Sequence, residues 1–214
     1  LTMKHNNILL DTLTEVLKTQ EGFKEKKASD VKASVRGLLN MHQQMMQLGR
    51  EAFLKHGEDS LTANIFERVD HRIDHVPVEF KANKDHVILI DERDYFILYR
   101  TLLNVFEGEN YSDAINMAMV LAILEPLRIQ HYIILGTILM RESGAHSAAE
   151  FYEKIIANYK DPLLYFYAAD AYAHANLKSE ARHILQEAIT LTKHLKSNEA
   201  KELKRGLEAY LKSL

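Results

Sequence analysis

Apolar positions in the second half of the chain recur at fixed distances. Ala114, Ala148 and Ala181 follow one another at intervals of 34 and then 33 residues. A large apolar residue stands 16 positions before each alanine, at Leu98, Tyr132 and Tyr165. Another stands 9 before it, at Val105, Leu139 and Tyr172, and a third 7 after it, at Leu121, Ile155 and Ala188. Both halves of each period carry apolar residues at helical spacing, so each period predicts two helices joined by a turn.

A helix–turn–helix unit of this length is the tetratricopeptide repeat (TPR). The turn and cap residues fit the register. Gly108 to Tyr111 separate the helices of the first repeat, which runs from about Tyr95 to Leu127, and Pro126 ends its second helix. The second repeat begins near Arg128, with Gly136 at the close helix crossing and Ser143-Gly144 in the turn. The third opens on Asp161 as cap and Pro162 at the first helical position, with Asn176 in its turn. Thr190 to Lys196 continue its last helix. Glu199–Leu214 is then an amphipathic helix with Leu203, Leu207, Tyr210 and Leu211 on one face, suited to capping a stack.

Ahead of the repeats the period is helical but not repetitive. Ile8, Leu9, Leu13, Val16 and Leu17 predict a helix over 7–20. Asp30 caps a second, whose stripe runs through Val31, Val35, Leu38, Met41, Met45, Leu48 and Ala52 to an end near Gly57. The pair reads as a helical hairpin. Leu61–Ile73 fits a further helix, while Val78–Phe80 and Val87–Ile90 read as short extended pieces. The expected architecture is all-α: residues 1–90 form an amino-terminal helical region with an irregular linker at 58–94, and residues 91–214 a three-repeat TPR superhelix with a capping helix.

Composition narrows the function. The 27 basic and 30 acidic residues give a net charge of −3, no global field for nucleic acid. With no cysteine there is neither a disulfide scaffold nor a thiol nucleophile. The apolar runs Ala118–Leu124 and Tyr132–Met140 fall short of the roughly 20 residues of a membrane span. Asn6, Asn7 and Asp11 interrupt any apolar signal core, so a cytoplasmic location is expected.

In a TPR the first helix of each unit lines the concave side. The positions left over from the buried pattern are Phe96, Tyr99, Leu103 and Phe106 in the first repeat. In the second they are Ile133, Thr137 and Met140, with Arg141 at the edge, and in the third Leu163, Phe166, Asp170 and His174. A purely solvated face would be charged. This one is mainly aromatic and aliphatic, which points to a peptide-binding groove, unless the amino-terminal helices fold over it. The amino-terminal stripe is too apolar for an isolated helix, and a homodimer through it is the expected partner beside a monomeric hairpin.

Asp161-Pro162-Leu163-Leu164-Tyr165-Phe166-Tyr167-Ala168-Ala169-Asp170-Ala171-Tyr172 resembles the third-repeat opening of the class II chaperones of bacterial type III secretion, TPR proteins that hold hydrophobic translocators. Ala122-Ile123-Leu124-Glu125-Pro126 resembles the end of that family's first repeat, and Tyr111-Ser112-Asp113-Ala114 its turn. The similarity spans roughly Asp94 to Lys193. It implies a chaperone whose groove grips an extended segment of a secreted protein before export. The family's amino-terminal arm is shorter, so residues 1–90 could instead act as a fused helical co-chaperone. A general TPR scaffold or regulator is the alternative function.

No pattern for catalysis competes strongly. Glu67, Asp70, His71, Asp74 and His75 form a polar cluster, with the two histidines four apart. It reads either as a candidate divalent-metal site or as a solvated helix face of alternating charge. Neither a Gly-rich phosphate loop nor a nucleophile elbow occurs. No enzymatic activity, cofactor or resident metal is expected.

Overall fold

The computed structural model describes residues 28–74, 89–193 and 197–214, and the regular elements among them are all α-helices. They are α1 (Ala28–His56), α2 (Asp59–Asp74), α3 (Glu92–Glu107), α4 (Tyr111–Leu124), α5 (Gln130–Glu142), α6 (Ala145–Asn158), α7 (Pro162–His174), α8 (Lys178–Thr192) and α9 (Asn198–Ser213). The all-α expectation holds. The expected helix over 7–20 and the extended pieces at 78–80 and 87–88 lie outside the described residues, as do the side chains of Val31, Val35 and Leu38. Leu89 and Ile90, the described end of the second piece, are irregular rather than stranded.

The described residues pack as two compact units, divided between Pro126 and Leu127. Repeat register and packing thus divide the chain at different places. The register begins near residue 91, whereas packing groups α3 and α4 with α1 and α2.

In the first unit α3 and α4 pack as a pair, and α1 lies chiefly along α4, with lighter contact to α2 and α3. The α1–α4 approach is close because residue 49 is glycine. A Cβ there would overlap the Val120 side chain and the Asn116 carbonyl. Phe53, Phe66, Val69, Leu98, Leu102, Met117 and Leu121 fill the core. Polar ties fix the register. Arg68 grips the buried Asp94 bidentately, its Nε donating to Oδ2 at 2.8 Å and its Nη2 to Oδ1 at 2.7 Å. Asp113 at the start of α4 accepts from Lys55 Nζ at 2.8 Å and Asn110 Nδ2 at 2.9 Å, and pairs with His56 Nε2 at 2.7 Å. These contacts hold the Asp113 carboxyl below its usual pKa, the hydrogen bond from Lys55 most of all.

In the second unit α5 to α9 pack in sequence, each on the next, and α5 also meets α7. The repeat alanines Ala148 and Ala181, like Ala114 in the first unit, are wholly buried. Asp161 caps α7 through Leu163 N at 2.8 Å and Leu164 N at 3.3 Å, with Pro162 following it. Asn176 adopts φ 64°, the left-handed turn that ends α7. Ser197 caps α9, accepting from Ala200 N at 3.1 Å.

Candidate binding site on the first helices of the repeats

None of the eleven expected groove residues is buried, whereas Leu98, Tyr132 and Tyr165 on the same helices are. Leu139 and Tyr172, which the repeat pattern also assigns to the core, are half-exposed like the expected face residues, so burial follows the register at Leu98, Val105, Tyr132 and Tyr165 but not at these two. On α3 the face carries Phe96, which is 53 % exposed, and the half-exposed Tyr99, Leu103 and Phe106. Tyr99 stacks on the buried Tyr95 at 5.8 Å between centroids, and Phe106 meets Tyr111 at 6.0 Å. The start of this helix is pinned from two sides. Asp91 caps it through Asp94 N at 2.9 Å and pairs with Arg72 at 3.3 Å. The Asp94 backbone N–H, first, and Arg72 hold the Asp91 carboxyl below its usual pKa.

The second unit carries the other two sets on neighbouring helices. On α5, Ile133, Thr137 and Met140 are half-exposed. The Thr137 hydroxyl donates to the Ile133 carbonyl of its own helix at 2.8 Å, so its donor is already used. Tyr152 rises from α6 beneath this helix: its hydroxyl also donates to Ile133 O, at 3.0 Å, and its ring lies where a Cβ of residue 136 would be. On α7, Leu163, Phe166 and Asp170 are half-exposed and His174 is exposed. Asp170 is the acidic member of the set, 3.7 Å from His174 Nε2.

The periodicity did not signal what meets Phe166 and Asp170. Tyr210 of α9 sets its ring 5.6 Å from that of Phe166 and donates its hydroxyl to Asp170 Oδ1 at 2.8 Å. Burial, and then this bond to a carboxylate, push the Tyr210 pKa up to about 12. The clue in the sequence is a spacing: the buried Ala200 and Leu207 of α9 stand as far apart as Leu164 and Ala171 of α7. The cap thus repeats the first-helix pattern and brings Tyr210 to the place that His174 holds on α7.

Of the Glu67–His75 cluster, the Asp74 side chain lies outside the described residues and Asp70 has a structural partner. Asp70 pairs with Arg50 at 2.7 Å, Arg68 and Arg72 interleave with it, and His75 lies outside the described residues. Among the described residues no group of three or more histidine, aspartate and glutamate side chains is placed to hold a metal ion, and no helix is long and apolar enough to cross a membrane.

No protein-family model and no curated relative matches the sequence. Solved structures do match. One chain of the CopN-Scc3 complex aligns at 21 % identity and TM-score 0.47, over 66 % of this chain and 85 % of that one. The Yersinia enterocolitica type III secretion translocator chaperone SycD aligns at 22 % identity and TM-score 0.51, over 58 % of this chain and 92 % of SycD. Over that span the chain has the fold of a type III secretion translocator chaperone.

Proposed function

We propose that this protein is a cytoplasmic chaperone of a type III secretion system that holds an extended, hydrophobic segment of a secreted protein on the first helices of its repeats. The observation that carries the reading is the set of accessible apolar side chains on the first helices within each unit. Phe96, Tyr99, Leu103, Phe106, Ile133, Met140, Leu163 and Phe166 stay accessible on helices whose core side is filled by Leu98, Leu102, Tyr132, Ile138, Leu164 and Tyr165. Fully burying a side chain of this kind from full exposure contributes roughly 1.5–3 kcal/mol, and a partner covering these partly exposed ones gains a fraction of that at each. The fold shared with SycD, a translocator chaperone by its description, supports the same reading. The mechanism is steric and hydrophobic: the chaperone covers apolar cargo surface until export, with no chemical step.

Self-association through α1 belongs to the proposal. Met41 and Leu48 are 48 % and 50 % exposed on this long helix, and Met45 and Met46 are half-buried. A second copy of the chain is the proposed cover.

Purification of the tagged full chain from its own cells, with mass spectrometry of bound proteins, tests the function. The expected result is a secreted protein with strongly apolar segments, retained by the wild type and depleted several-fold by Phe96→Ala combined with Leu163→Ala. A partner set unchanged by these substitutions contradicts the groove. A set of regulators without any secreted protein favours the scaffold reading.

A further inference from the structure

The Phe166–Asp170 corner of α7 is filled by the chain's own Tyr210, and three features of that contact have chemical meaning. The phenol ring packs tilted on Phe166 at 60° and 5.6 Å, a geometry aromatic pairs favour. The hydroxyl donates to a carboxylate, which only accepts, so the corner selects an aromatic side chain that carries a donor. The helix that delivers Tyr210 is lightly held: Ala200 and Leu207 are its buried residues, and Gly206, one turn before Tyr210, is exposed with open space around a Cβ. A helix with so few buried contacts and a central glycine opens at low cost.

We propose that this corner is a tyrosine-accepting subsite, closed in the free chain by Tyr210 and occupied in the complex by a tyrosine of the bound segment. The inference rests on the binding reading above and adds to it a side-chain preference and an internal competitor. Tyr210 itself shows what the corner accepts: an incoming tyrosine makes the same ring contact with Phe166 and the same hydrogen bond to Asp170. An incoming phenylalanine repeats the first but leaves Asp170 without its donor. His174, 3.7 Å from Asp170, is too distant to replace that bond.

Titration of the full chain with p-cresol, the tyrosine side chain, and toluene, the phenylalanine side chain, tests this by NMR. Tyr210→Ala should bind p-cresol saturably at α7, at least tenfold more tightly than the wild type does and at least tenfold more tightly than toluene. Adding Asp170→Ala should level the two probes. A Tyr210→Ala protein that binds neither probe, or both alike, overturns the proposal. If Tyr210→Ala does not fold, Tyr210→Phe decides: it keeps the ring and loses the bond to Asp170, so p-cresol should bind at least threefold more tightly than to the wild type, and equal affinity overturns the subsite. None of these outcomes depends on a cargo protein, so the subsite can fail while the chaperone reading stands.

Discussion

Tyr152 lies across Gly136 with its hydroxyl on the Ile133 carbonyl, so one side chain of α6 sets how closely that helix approaches α5. Adding a Cβ at 136 must move the Tyr152 ring. Gly136→Ala should therefore destabilise by about 1–3 kcal/mol despite the higher helix propensity of alanine, and a denaturant melt showing a neutral or positive effect would contradict the packing. His131 is a second residue-scale test. It is wholly buried and neither ring nitrogen has a hydrogen-bond partner among the described residues. Burial, with Arg128 adding to it, pulls its pKa down to about 3. The unfolded chain takes up this proton near pH 6.5 and the folded chain does not, so stability is lost as pH falls from 6.5 toward 3. At pH 5.5 the loss from this residue is on the order of 1 kcal/mol. Melts at pH 7.5 and 5.5 should show that difference shrink in His131→Leu, and an unchanged difference would mean the imidazole finds a partner.

At the scale of the helix, the elements whose ends carry local chemistry were legible in the sequence. Asp161-Pro162 and Asn176 mark α7 because an Asp cap, a proline at the first turn and a left-handed turn residue act through backbone geometry alone. Asp161→Ala should cost about 1 kcal/mol in a denaturant melt, and no loss would mean that Pro162 alone sets the start of α7. On the first helices, period separates the buried Tyr132 and Tyr165 from the half-exposed Ile133 and Phe166, but it also assigns the half-exposed Leu139 and Tyr172 to the core. The contacts at long separation were not legible. Periodicity shows that α1 has an apolar stripe but not that Gly49 admits α4, nor that Tyr210 reaches Asp170, because both depend on which helices become neighbours. The face also needs a refinement at this scale. Tyr99 stacks on Tyr95 and Phe166 meets Tyr210, so truncating either removes internal packing as well as binding surface. Phe96 also meets Tyr95, edge-on at 5.8 Å, but is the most exposed of the apolar set, so Phe96→Ala should lower stability far less than Tyr132→Ala, which costs about 3–5 kcal/mol. In α9, Gly206 meets nothing within 4 Å of a Cβ, so Gly206→Ala should stabilise by about 0.5–1 kcal/mol.

At the scale of the whole molecule, each packing unit carries apolar first-helix residues of its own: α3 in one, α5 and α7 in the other. The proposed self-association of α1 is separable from binding at these helices. Met41→Glu combined with Leu48→Glu should convert a dimer to a monomer in light scattering of the full chain, whereas a wild-type monomer would sink the dimer. The central claim is that the first helices contact cargo, and site-specific photo-crosslinking tests it most directly. A photoreactive phenylalanine in place of Phe96, Ile133 or Leu163 should capture a secreted protein in cells. The same group in place of Glu150 or Arg182, exposed on the second helices α6 and α8, should not. Equal capture from both sets, or capture from α6 and α8 alone, would contradict the account.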